Sequence, residues 1–72
     1  MSNPYCIIRR DEYPDSVEWV VEYPDLPGCI GEGDSPEEAL AVGERHKELW
    51  VETALKNGVD VPIKYLKGEE KC

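Results

Sequence analysis

Val17-Glu18-Trp19-Val20-Val21-Glu22-Tyr23 alternates residue by residue, with Val17, Trp19, Val21 and Tyr23 on one side of an extended chain and Glu18, Val20 and Glu22 on the other. The first side is the expected core face of a strand. Pro24-Asp25-Leu26-Pro27-Gly28 then halts the ladder, because neither proline has an N–H to donate and the glycine admits positive φ. Cys29-Ile30-Gly31-Glu32 resumes as a short third strand that ends near Gly33-Asp34. Next come Ser35 as helix N-cap, Pro36 at the first helical position and Glu38 three residues after the serine, in the spacing of a capping box.

Working outward, Tyr5 to Arg10 reads as a first strand, and the polar stretch from Asp11 to Ser16, with Pro14-Asp15 inside it, as the turn of a hairpin. After Ser35, the residues Ala39, Val42, His46, Leu49, Trp50, Thr53 and Ala54 recur at three-and-four spacing. They predict a helix of about 20 residues with one buried stripe. Asn57-Gly58 is placed to end it in a left-handed cap, and Ile63 to Leu66 can add one edge strand. Residues 67–72 are polar and expected to fray. The fold class is α+β: a three-stranded antiparallel sheet packed by one long helix, with room for a fourth edge strand, in the order βββα(β). No repeat, linker or low-complexity tract divides residues 1–72, which read as a single domain with no C-terminal DNA-binding domain.

Composition narrows the function classes. Sixteen acidic residues against eight basic ones give a formal charge of −8 on 72 residues, a field that repels a phosphate backbone and steers cationic proteins inward. Direct nucleic-acid binding is therefore not expected. Cysteines at positions 6, 29 and 72 are few, odd in number and widely spaced, which argues against a disulfide framework or a zinc site. No apolar run approaches a membrane span, and Met1-Ser2-Asn3-Pro4 lacks the features of a signal peptide. A reducing cytoplasm is the expected compartment. A chain this short has a thin core, so self-association or a permanent partner would add to its stability.

Searching for chemistry returns little, and no cofactor is implied. Glu18 and Glu22 share a strand face, and Glu44 and Glu48 stand at i, i+4 on the helix; both pairs read as solvated surface. His46 falls on the apolar stripe and reads as a structural histidine. Glycines 28, 31 and 33 do not form a phosphate loop, since no lysine follows and Glu32 and Asp34 adjoin them. Trp19 and Trp50 lack the basic groove of a base-stacking platform.

Tyr23-Pro24-Asp25-Leu26-Pro27-Gly28-Cys29 followed by Gly33-Asp34-Ser35-Pro36-Glu37-Glu38-Ala39 resembles the signature of the HicB-like antitoxin domain. The resemblance spans nearly the whole chain. It implies a partial ribonuclease H-like fold without nuclease carboxylates, and a role in neutralising HicA, a small basic toxin that cleaves messenger RNA. Many relatives continue into a DNA-binding domain, and this sequence stops shortly after the helix. The motif residues read as architectural, since turns and caps explain each one. The charged contacts to a basic toxin are assigned to Glu18, Glu22, Asp25 and Glu32. A homo-oligomer, dimer or tetramer, formed through Trp50, Val51 and a sheet edge, is a second expectation. An enzyme would have to work through His46 and nearby glutamates, and the sequence gathers no such set.

Overall fold

The computed structural model describes residues 4–66; the expectations for residues 67–72, for Cys72 and for the N-terminal Met1-Ser2-Asn3 lie outside them. Strands β1 (Ile7–Tyr13), β2 (Ser16–Glu22) and β3 (Ile30–Gly33) are followed by helices α1 (Pro36–Lys56) and α2 (Ile63–Leu66). The sheet order is β1-β2-β3, with both neighbours antiparallel. The α+β class and the single covering helix are as expected from the sequence.

The first hairpin is tighter than its polar composition suggests. Tyr13 pairs with Ser16, leaving only Pro14-Asp15 to turn, and the ladder takes in Asp11 and Glu12. Hairpin loops of two residues usually need positive φ. Proline forbids it at the first turn position, and no described residue other than glycine has positive φ. Asp11 and Glu12 are tolerated because β1 is an edge strand whose side chains reach water.

At the start of α1 the Ser35 hydroxyl accepts from the Glu38 amide at 3.1 Å, and Ser35 itself is extended at φ −140°. At the far end Gly58 takes φ +72°, the Val59 amide reaches back to the Ala54 carbonyl at 2.8 Å and the Gly58 amide to that of Leu55 at 3.3 Å. This is the Schellman arrangement of a left-handed helix end.

The buried stripe of α1 is rotated from the expected one. Ala39, Gly43 and Ala54 are buried, with Leu40, Trp50 and Val51 packed partly against the core, whereas His46, Leu49 and Thr53 are exposed. The reason lies in β3. A Cβ on Gly31 would lie 2.5 Å from the Gly43 Cα and 2.6 Å from the Ala39 carbonyl oxygen, and one on Gly33 would lie 2.7 Å from the Ala39 amide nitrogen. Helix and strand touch backbone to backbone, and only the glycine and alanine side of α1 can come that close.

The expected fourth strand is a helical turn instead. The Tyr65 amide donates to the Pro62 carbonyl at 3.0 Å, so α2 turns Tyr65 inward while Ile63 and Leu66 stay exposed. Tyr65 stacks against Tyr5 with ring centroids 4.7 Å apart, and its hydroxyl donates to the Tyr5 carbonyl at 2.7 Å. Tyr23 packs edge-on against both rings. The Lys47 ammonium donates to the Tyr5 hydroxyl at 2.7 Å and pairs with Glu44 at 2.6 Å. These contacts tie both ends of the described chain to the centre of α1. Burial pushes the pKa of the Tyr23 and Tyr65 phenols up, and the fully buried Tyr23 hydroxyl has no hydrogen-bond partner among the described residues.

Cys29 is free and buried.

The two central glycines should respond differently to alanine. Gly31→Ala drives a methyl into backbone that cannot rotate away and is expected to cost about 3 kcal/mol in urea unfolding. Gly43→Ala meets only the Tyr23 ring and a Val21 methyl at 3.3 Å, and its gain in helix propensity, about 1 kcal/mol, should leave it near neutral. Equal losses for the two variants would refute the backbone contact.

Candidate functional site: the open face of the sheet

The register assigns every strand residue to one of two faces. Helix α1 covers the face carrying Val21, Gly31 and Gly33. The other face presents Ile7, Arg9, Asp11 and Tyr13 from β1, Ser16, Glu18, Val20 and Glu22 from β2, and Ile30 and Glu32 from β3. No described helix lies on this side.

Four carboxylates therefore share the open face with one guanidinium. Arg9 bridges Glu22 at 3.3 Å and Asp11 at 3.5 Å, which leaves Glu18 and Glu32 opposed by no cation on the face among the described residues. Proton sharing with the neighbouring Glu32 carboxyl, then partial desolvation, then repulsion between the two groups hold the Glu18 carboxyl above the usual carboxylate range. The Tyr13 phenol is raised in turn, first by Glu18 and then by Asp11. At the centre, Val20 is only 3% exposed although no described helix lies over it. Its direct neighbours across the sheet are Arg9 and Glu32. The result is an apolar floor of Ile7, Val20 and Ile30 under a carboxylate rim.

Of the four expected contact residues, Glu18, Glu22 and Glu32 are brought together here and Asp25 is not. Asp25 sits in the bend between β2 and β3 and pairs with Lys64, which ties that bend to α2. Sequence reasoning missed Asp11, because placing it on this face needs β1 to run as far as Tyr13. The turn chemistry of Pro14-Asp15 was the available signal.

The motif residues are structural in place. Tyr23, Leu26, Cys29 and Ala39 are buried in the core. The bend closes on itself through Leu26 amide to Tyr23 carbonyl at 2.9 Å and Cys29 amide to Leu26 carbonyl at 3.0 Å, with Gly28 at φ +79°.

Trp50 and Val51 diverge on α1. The Trp50 indole donates to the Pro27 carbonyl at 3.0 Å and borders a groove with Cys29, His46 and Leu49, whereas Val51 faces Tyr65 and Leu66 on the other flank. His46 is exposed, yet its Nδ1–H donates to the Ile30 carbonyl at 2.6 Å. It fastens α1 to the edge strand from outside rather than from within the core.

Residues 5–68 match the family described as HicB-like antitoxin of bacterial toxin–antitoxin systems. The chain belongs to that family. No curated protein and no solved structure matched it. Membership of the HicB-like family implies a toxin as partner and a non-catalytic role. Among the described residues no group of three or more histidine, cysteine or acidic side chains could hold a metal ion, and no helix is long and apolar enough to cross a membrane.

The Glu18–Glu32 pair gives a signed prediction. A carboxyl whose folded pKa lies above its unfolded value contributes stability at low pH and loses it as pH rises through the folded value. Removing one charge should therefore not harm the fold at neutral pH. Glu32→Gln is expected to keep or raise the melting temperature at pH 7, with the difference from wild type narrowing as pH falls into the carboxylate range. A lower melting temperature at pH 7 would show that the pair is stabilising as it stands.

Proposed function

We propose that this chain is a cytoplasmic antitoxin that neutralises a small basic HicA-like toxin, a messenger-RNA-cleaving protein, by laying the open face of its sheet over it. One observation carries the reading: among the described residues the face left free by α1 holds Asp11, Glu18, Glu22 and Glu32 against Arg9 alone. A cationic surface that binds RNA phosphates presents the charges these carboxylates need, and covering it removes the toxin's access to RNA by occlusion rather than by chemistry.

The physical terms agree in direction. A formal charge of −8 accelerates encounter with a basic protein and does so less as salt rises. Once docked, the exposed side chains of Ile7 and Ile30 supply area that is indifferent to salt. Glu18 and Glu32 repel one another in the free protein, and an arginine or lysine set between them relieves that repulsion. The binding face is thus strained electrostatically without its partner.

Co-expression with a small basic HicA-like toxin tests the reading, and calorimetry on the purified pair quantifies it. Growth should be rescued by the wild type. Glu18→Lys, Glu22→Lys and Glu32→Lys combined should weaken binding at least 100-fold and abolish rescue, while Glu37→Lys with Glu48→Lys on α1, at the same change in net charge per residue replaced, should retain it. Undiminished rescue by the triple variant would overturn the assignment of the face.

A further inference from the structure

The sheet has two outer edges, and they are finished differently. The Tyr23 amide donates to the Cys29 carbonyl at 3.2 Å, and the register of β2 with β3 runs into that pair from Glu22 opposite Ile30. Hydrogen-bonded and non-hydrogen-bonded pairs alternate along an antiparallel ladder. Ile30 and Glu32 therefore turn their N–H and C=O groups away from β2, out of the sheet. Glu22 and Val20, opposite them, turn theirs toward β1, where Ile7, Arg9, Asp11 and Tyr13 face the β2 ladder. Ile8, Arg10 and Glu12 are left with both backbone groups directed outward.

On β3 that edge is short and partly closed. The strand has four residues, and its Ile30 carbonyl accepts from His46 Nδ1–H at 2.6 Å. On β1 the edge runs for seven residues without proline or glycine. Among the described residues no backbone group bonds to the outward side of Ile8, Arg10 or Glu12. Helix α1 packs on β2 and β3, so these three side chains are exposed even on its side of the sheet. A long edge with unpaired amides is a template for one more strand.

We infer that the outer edge of β1 is a strand-addition site, filled by an extended segment of a basic protein partner. Charge selects the occupant. At the hairpin end, Asp11 and Glu12 send carboxylates to the two sides of the edge, and Glu18 lies opposite Asp11 on β2. Arg9 and Arg10, in the middle, are already paired with carboxylates of this chain. At the other end Ile7 and Ile8 are each 41% exposed, one on each side. The segment that fits is cationic at one end and apolar at the other. A second copy of the chain fits less well, because it brings a further charge of −8 and sets another acidic face in the same plane. Backbone bonds then supply affinity, and the side-chain pairs select the partner. Resting on the function proposed above, the partner is the toxin: its strand extends the sheet beside β1, and its body lies across the carboxylates of the open face.

Amide hydrogen exchange of the full chain, followed by nuclear magnetic resonance alone and saturated with a small basic HicA-like toxin, tests the site. In the chain alone the Ile8, Arg10 and Glu12 amides are expected to exchange at least 100-fold faster than those of Arg9 and Asp11, and in the complex to slow at least 100-fold. A complex in which these three amides stay fast overturns the inference and leaves the functional reading standing, whereas absence of any complex overturns both. Slowing in the chain alone as its concentration rises assigns the edge to a second copy and also overturns the inference. Arg10→Pro is an independent check, since it removes an outward N–H and no ladder bond. It should keep the fold and weaken toxin binding at least tenfold, while Arg10→Ala, which keeps the amide, should bind within about threefold of wild type. Equal binding by the two variants contradicts strand addition, and should Arg10→Pro fail to fold, the exchange rates decide.

Discussion

The contact between Gly31 on β3 and the Gly43–Ala39 side of α1 sets everything else in this structure. A helix in the middle of which stands a glycine gives up about 1 kcal/mol against alanine. What it gains is an approach so close that the strand residue facing it can carry no side chain. That approach fixes the rotation of α1 about its axis, brings Tyr23 and Val21 under the helix, and sends Val42, His46, Leu49 and Thr53 to the outside. Had the sheet been separated from the helix by ordinary side chains, the expected stripe centred on Leu49 and Trp50 would have been the natural one to bury.

The same contact divides labour between the two sides of the sheet. One side is committed to the core, where the bend at Pro24–Gly28 and the tyrosines of both chain ends complete it. The other has no covering element among the described residues and need not be apolar, so carboxylates accumulate there without cost to packing. Their concentration is nevertheless unfavourable in the free protein, since among the described residues one guanidinium serves four of them. The HicB-like antitoxin family to which the chain belongs implies a toxin as partner, and the cationic toxin surface proposed above would give that imbalance a reason.

Much of this was legible in the sequence, for local reasons. The alternation of β2, the double-proline bend and the Ser35 cap are short-range signals, and each formed where its chemistry required. Three features were not legible, because they depend on pairing across distance. The length of β1 is decided by its register with β2 rather than by the polarity of Asp11 and Glu12. The rotation of α1 is decided by glycines on two separate elements, and an apolar residue on a helix does not announce which partner it faces. Ile63–Leu66 has strand-like composition, yet Pro62 and the pull of Tyr65 toward Tyr5 wind it into a turn. Of the candidate contact residues, Glu18, Glu22 and Glu32 share the open face through the strand register, and Asp25, on a bend, pairs with Lys64.

The central claim is that the face opposite α1 is the working surface. Its most direct test is a nuclear magnetic resonance titration of the isotopically labelled chain with its basic partner. The account predicts shifts in the backbone amides of Arg9, Asp11, Glu18, Val20, Glu22 and Glu32 and in the methyls of Ile7 and Ile30, with the core under Gly43 unmoved. Shifts confined to α1 and α2, with the sheet silent, would contradict it.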